Sequence, residues 1–201
     1  MIRNIVFDLG NVLLSFKPKE YLERKEYSVR QTEKILTDIF LSPEWPTLDN
    51  GDITHNEAIE RIAERSSLSK TEIAGIFDLR INLLFPLEKN VTLLPELKQK
   101  GYKLYYLSNF TSDIFPEIRS LNPFFNIFDG GIISADVRVS KPDETIYRLL
   151  VGKYSLVASE SLFIDDLEIN VRAAEKTGMQ GLHTNGAEDI GAMLWKILAG
   201  S

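Results

Sequence analysis

"NIVFDLGNVLLSF", residues 4–16, runs three apolar residues, Ile5, Val6 and Phe7, directly into a carboxylate, Asp8, and then into Gly10 and Asn11. A short run of β-branched and aromatic residues that stops at a turn signal has the pattern of a buried strand. The same pattern returns in "YKLYYLS" (102–108), "GGIIS" (130–134) and "SLFIDD" (161–166), and "GMQGLHTN" (178–185) adds a strand beginning near Gln180. Amphipathic stretches separate these runs. Strands alternating with helices predict an α/β fold: a parallel, doubly wound, Rossmann-like sheet with helices on both faces.

Punctuation supports the helices. "TLLPELKQKG" (92–101) stops at Gly101, and "EINVRAAEKTG" (168–178) sets Val171 and Ala174 on one face and stops at Gly178. In "SKPDETIYRLL" (140–150), Pro142 suits the first helical position, where no amide is needed. Residues 17–84 break the rhythm. "KEYLERKEYS", "HNEAIERIAERS" and their neighbours carry charged helical periodicity and no strand, and "SPEW" and "DNGD" divide them into at least four helices. The expected organisation is an α/β core of residues 1–16 and 85–201, with an all-helical cap of residues 17–84 inserted after the first strand.

Composition narrows the function. Of 201 residues, 29 are acidic and 23 basic, giving a net charge of −6 with no basic block, which argues against nucleic-acid binding. No apolar run approaches the roughly 20 residues that span a bilayer, so no membrane partner is expected. The absence of cysteine removes thiolate metal sites and thiol nucleophiles, and the first residues lack the apolar core of a secretion signal, so a cytoplasmic location is expected. A monomer or weak homodimer is the expected state.

In an open parallel sheet, ligands gather at the carboxyl ends of the strands. Asp8, Ser108 with Asn109, and Asp165 with Asp166 all follow strands, and Lys141 precedes a helix after "GGIIS". Singly, such residues cap helices or close turns. Three carboxylates converging from two strand ends raise each other's pKa unless a cation joins them, and an all-oxygen set without histidine or cysteine favours Mg²⁺. Lys141 would then offer a point charge, and Ser108 a hydrogen-bond donor, to a phosphoryl group. A lysine at the positive end of a helix dipole also calls for an anion nearby.

"FDLGNVL", "LSN", "SKPDETIY" and "FIDDLEINVRAA", in this order, resemble the four motifs of the haloacid dehalogenase-like phosphohydrolase superfamily, and residues 17–84 resemble its helical cap. The resemblance implies a Mg²⁺-dependent phosphatase acting on a small phosphorylated metabolite. It makes Asp8 the nucleophile that forms an aspartyl-phosphate, Ser108 and Asn109 the phosphate-binding pair, and Lys141 the lysine that holds nucleophile and phosphate. Asp166 becomes the direct metal ligand, Asp165 its neighbour acting through water, and Asn170 at most an outer-shell residue.

Gly10 departs from the family pattern, which usually has a second aspartate there as general acid and base. Its carbonyl can still ligate the metal; its missing side chain cannot move a proton. That loss is felt least with a good leaving group, and the "DLGNV" variant resembles sugar-1-phosphate phosphatases, so a sugar 1-phosphate is the favoured substrate. The alternatives are a catalytically weak phosphometabolite-binding or regulatory protein, a 2-haloacid dehalogenase, and a phosphosugar mutase. Arg138, where relatives carry a small residue, is expected to face solvent. His55 and His183 receive no role, and Trp45, Phe16 and Tyr21 are read as cap or hinge core. Asp49, Asp52 and Glu57 are read as solvated, one of them a candidate for the missing proton donor.

Overall fold

A computed structural model of the chain describes residues 1–185 and 189–200. Five strands form one sheet: β1 (Asn4–Phe7), β2 (Lys103–Ser108), β3 (Gly130–Ile133), β4 (Ser161–Asp165) and β5 (Gln180–His183). Their order is β3-β2-β1-β4-β5, and every pairing is parallel. The chain therefore builds outward from β1 on one side, then crosses back to build the other. The carboxyl end of β1 lies at that reversal, the position where ligands bind in open parallel sheets.

Period-two alternation splits the strand side chains between two cores. Ile5, Phe7, Leu104, Leu162 and Ile164 enter one, while Val6, Tyr105, Leu107 and Phe163 enter the other. β1 is buried at all four positions, as a central parallel strand must be.

Six helices lie between β1 and Leu84: α1 (Pro18–Arg24), α2 (Val29–Ile35), α3 (Glu44–Asp49), α4 (His55–Arg65), α5 (Lys70–Asp78) and α6 (Arg80–Leu83), with a π turn at Leu36–Phe40. Three of these begin with reciprocal capping boxes, Ser28 with Gln31, Thr54 with Glu57 and Ser69 with Glu72, each satisfying two otherwise orphan amides. Their apolar faces meet in a separate core that includes Ile39, Leu48, Ile62, Ile73 and Phe77.

The remaining helices flank the sheet: α7 (Glu88–Val91), α8 (Leu93–Gln99), α9 (Phe115–Leu121), α10 (Ser134–Val137), α11 (Glu144–Tyr154), α12 (Glu168–Lys176) and α13 (Gly191–Ala199). Both expected glycine stops are present, Gly101 and Gly178 having φ of 89° and 92°. Pro142 departs from expectation, because α11 begins two residues later at Glu144. Asp143 is its N-cap and accepts from the Thr145 amide at 2.8 Å, so the cap is a side chain rather than the proline.

Cap and core are joined by a two-stranded ribbon. Ser15 N donates to Phe85 O and Leu87 N to Leu13 O, each at 2.8 Å, with Leu14 bridging Pro86 between them. The cap also touches the core at its far end. Gly51 has φ of 75°, and a Cβ there would lie 2.7 Å from the Ala135 carbonyl oxygen, so only glycine admits this approach.

Candidate active site

Asp8 leaves β1 with its amide still in the sheet, donating to Ile164 O at 2.8 Å. The next turn is tight. Leu13 N and Leu14 N both reach Leu9 O, and Asn11 takes φ of 53°, a left-handed conformation that asparagine tolerates. Asn11 is spent on both sides, accepting from Phe16 N at 3.0 Å and donating to Asp166 Oδ2 at 3.1 Å.

Asp165 ends β4 with no exposed side-chain surface. Its carboxylate accepts from the Leu167 amide at 2.8 Å, from Asn170 Nδ2 at 3.1 Å, and from Lys141 Nζ at 2.6 Å. Lys141 Nζ also lies 2.8 Å from Asp8 Oδ1. Apart from that ion pair, Asp8 Oδ1 is buried with no hydrogen-bond partner.

Lys141 reaches this position because Asn109 holds its backbone from both ends. Asn109 Oδ1 accepts from Lys141 N at 2.8 Å, and Asn109 Nδ2 donates to Lys141 O at 2.9 Å. The Asn109 side chain is thus committed to placing the lysine. Ser108, by contrast, directs its hydroxyl to Asp8.

Oxygens of Asp8, Asp165 and Asp166 lie within 4.8 Å of one another. Three carboxylates against one ammonium leave two negative charges uncompensated. Burial lifts the Asp8 carboxyl to about 7, and Lys141 opposes it only in part. Burial also raises Asp166. For Lys141 burial favours loss of the proton, but the Asp8 and Asp165 carboxylates outweigh it and hold the ammonium above its usual pKa. The Asp8 oxygen, buried with only the lysine ammonium beside it, and the all-oxygen donor set fit a hard dication such as Mg²⁺.

Above these groups a cavity of about 250 Å³ opens between cap and core. Asp8, Gly10, Lys141 and Asp166 floor it, and Phe16, Trp45, Leu84, Phe110, Ile114 and Leu167 supply its apolar walls. Phe16 and Trp45 were expected only in the cap or hinge core. They do pack there, with ring centroids 5.9 Å apart, and they also face the cavity, because aromatic rings on the cap's underside have two sides to cover. Tyr21 stays at the hinge, beside Lys17 and Phe85.

Of the three cap acids, Asp52 and Glu57 are exposed, the latter serving as the α4 capping-box residue. Asp49, at the end of α3, lines the cavity. Burial pushes its carboxyl up to about 8, against the partial opposition of Arg80. Arg138 is exposed and His183 is a β5 residue whose Nε2 meets Asp166 O at 3.0 Å.

Sequence reading missed one network. Arg80, 3% exposed, bonds Asp113 Oδ2 at 2.6 Å, His55 Nδ1 at 2.8 Å and Phe77 O at 2.9 Å, fastening α4 and α6 of the cap to the loop after β2. The available signal was a lone arginine in the apolar run "LRINLLF".

Asp49 also makes a prediction about stability. A carboxyl raised from 3.8 to about 8 on folding favours the folded state fully below pH 3.8, and that contribution is lost as pH rises toward 8. Asp49→Asn is therefore expected to gain melting temperature over the parent progressively between pH 4 and about 8, and to gain nothing further above that. Thermal melts across this range check it; an advantage that shrinks with pH would refute the assignment.

Comparison with known proteins agrees with this geometry. The profile of the haloacid dehalogenase-like hydrolases matches residues 2–178. The chain is 30% identical over 178 residues to the sesquiterpene phosphatase astK of Aspergillus oryzae, covering 89% of this chain and 87% of astK. It is 26% identical over 200 residues to the drimenol cyclase drtB of Aspergillus calidoustus, of which it spans 37%. Among solved structures it superposes on the HAD family enzyme bt-2542 of Bacteroides thetaiotaomicron in its magnesium complex, with TM-score 0.74, 25% identity and coverage of 96% and 98% of the two chains. The residues that converge at the end of β1, the inserted helices and this match over nearly the whole chain give one answer: the protein belongs to the haloacid dehalogenase-like hydrolases.

Proposed function

We propose that this chain is a Mg²⁺-dependent phosphoric monoester hydrolase that works through an aspartyl-phosphate on Asp8. The observation that carries this reading is the Asp8–Lys141–Asp165 arrangement, in which a buried ammonium sits 2.8 Å and 2.6 Å from two carboxylates under a cavity. It is supported by bt-2542, described in complex with magnesium and inorganic phosphate at 23% identity.

The metal would be held by Asp8, the Gly10 carbonyl and Asp166, with Asp165 behind them. Bound there, Mg²⁺ would neutralise charge on the phosphoryl oxygens and lower the repulsion that an anionic nucleophile meets. This chain's own groups do the rest. Asp8 Oδ supplies the nucleophile, Lys141 offsets charge on the transferring group and on Asp8, and Ser108 donates a hydrogen bond. Asp165 and Asn109 keep Lys141 in place. Residues 17–84 act as the cap over a core of residues 1–16 and 85–201, and the ribbon at 13–15 and 85–87 is the hinge on which it closes to exclude water.

The cavity favours a small phosphate monoester of a largely apolar alcohol over a sugar 1-phosphate. A polyol would need a polar partner for each hydroxyl, whereas the wall beyond the phosphate end is mostly apolar, made by Phe16, Trp45, Leu84, Phe110, Ile114 and Leu167 with Asp49, Arg80 and Thr111 as its polar members. The similarity to a sesquiterpene phosphatase supports the same choice. No helix of the described residues is long and apolar enough to cross a membrane.

Phosphate release from dimethylallyl phosphate, geranyl phosphate and glucose 1-phosphate, each with Mg²⁺ and with chelator, tests both levels. Activity is expected to require Mg²⁺, to favour the prenyl esters, and to show a raised KM for them in Trp45→Ala. Faster release from glucose 1-phosphate would overturn the apolar assignment, and full activity in chelator would overturn the metal assignment. Halide release from a 2-haloacid in chelator would point instead to the dehalogenase alternative.

A further inference from the structure

Gly10 leaves the reaction without a proton carrier beside Asp8. An ideal Cβ at position 10 would meet no atom within 4 Å, so nothing in the local packing demands glycine, and the space above it is part of the cavity. The cap fills the chemical gap from the opposite side. Asp49 is the acid of α3 that lines this cavity, and several contacts hold its end of α3 against the core. Its carbonyl accepts from the Ser134 hydroxyl, which itself accepts from Phe110 N at 2.9 Å. The neighbouring Asn50 accepts from Ser140 Oγ at 2.7 Å and donates to Arg138 O, while Gly51 rests on Ala135.

We propose that Asp49 is the general acid and then the general base of the reaction, a cap residue taking over from the side chain that position 10 lacks. This rests on the reading of Asp8 as the nucleophile. In the first half, an Asp8 carboxylate oxygen bonds to phosphorus as the ester P–O bond breaks. The leaving oxygen keeps that bond pair and takes the proton of neutral Asp49, giving the alcohol, the aspartyl-phosphate and the Asp49 carboxylate. In the second half, water attacks phosphorus and passes a proton to Asp49. The P–O bond to Asp8 breaks, releasing hydrogen phosphate and restoring the Asp8 carboxylate and neutral Asp49.

The surroundings suit both states. The charged groups that act on Asp49 are Arg80, Asp113 and Asp8, and the Trp45 indole N–H donates to it. Burial and the two acids favour the neutral form that donates, at a pKa of about 8. Arg80, whose Nη1 is buried with no partner, and the Trp45 indole favour the carboxylate left behind.

A general acid matters in proportion to how poor the leaving group is, which separates this role from a structural one. Full-length parent and Asp49→Asn would be assayed with Mg²⁺ on p-nitrophenyl phosphate and on geranyl phosphate. Asp49→Asn is expected to lose ~10²- to 10⁴-fold in kcat/KM on the alkyl ester. On the aryl ester it is expected to lose much less, and to show a burst of p-nitrophenol as phospho-enzyme accumulates without its base. Asp52→Asn and Glu57→Gln are expected to match the parent on both.

Equal loss on both esters, no loss on either, or the selective loss appearing in Asp52→Asn or Glu57→Gln would overturn the proposal. Asp8→Asn keeps the two levels apart. If it is inactive while Asp49→Asn behaves like the parent, the nucleophile stands and only the role of Asp49 falls. If Asp8→Asn turns over normally, the nucleophile reading falls with it.

Discussion

Asp8→Asn is expected to abolish turnover, with phosphate release falling by roughly 10⁴-fold or more, as removal of a nucleophile does when the rest of a site is intact. The reason is specific to this geometry. The side-chain amide is close in shape and can still accept from Ser108, and the backbone bond from residue 8 to the Ile164 carbonyl is untouched, but there is no anionic oxygen to attack phosphorus. It also withdraws one of the three carboxylates that gather within 4.8 Å, so magnesium affinity should fall as well. The fold should survive, because Lys141 keeps its 2.6 Å bond to Asp165 and one buried negative charge is gone. Steady-state phosphate release, together with a thermal melt showing an intact protein, checks this; normal turnover would remove Asp8 from the mechanism.

Lys141→Met should show the opposite balance, with stability as well as activity lost. The Lys141 side chain is 1% exposed and lies between two carboxylates, those of Asp8 and Asp165, which are 10% and 0% exposed. Methionine fills comparable space yet leaves both acids buried without their cation. Removing one member of such a cluster costs about 3–5 kcal/mol. For a chain of this length each 1 kcal/mol moves the melting temperature by about 2–4 °C, so a fall of roughly 6–20 °C is expected in chelator. Added Mg²⁺ should recover part of it by supplying positive charge to the same oxygens, without restoring activity. Melts with and without Mg²⁺ measure both effects. An unchanged melting temperature in chelator would mean that the carboxylates are neutral in the folded protein and that the ion-pair account of the site is wrong.

Opposing electrostatic demands explain why the site is built this way. A nucleophile must be anionic, and anions clustered in a dry cleft repel one another. Lys141 relieves part of that repulsion, and it can do so only because Asn109 and Asp165 hold both its backbone and its ammonium. The apolar part of the wall excludes water and so strengthens these charges, and on the proposed reading it also selects for an alcohol with little to hydrogen-bond.

The strands, their parallel pairing and the helical insert were legible in the sequence, because period-two burial and capping residues are local properties that each segment carries by itself. The same holds for Asp8, Ser108, Asp165 and Asp166. An open parallel sheet brings its strand ends to one edge, so residues that follow strands meet there whatever the details of packing. Asp49, Arg80, Phe16 and Trp45 were of another kind. Periodicity says which face of each cap helix is buried in the cap's own core. It does not say how that cap docks on the sheet, which depends on contacts between residues far apart in the chain, such as Asp49 with Ser134, Asn50 with Ser140 and Arg80 with Asp113. The sequence by itself determined the floor of the cavity; only the tertiary structure decided its roof, because a floor follows from the order of strands and a roof from the angle at which two separately packed bodies touch.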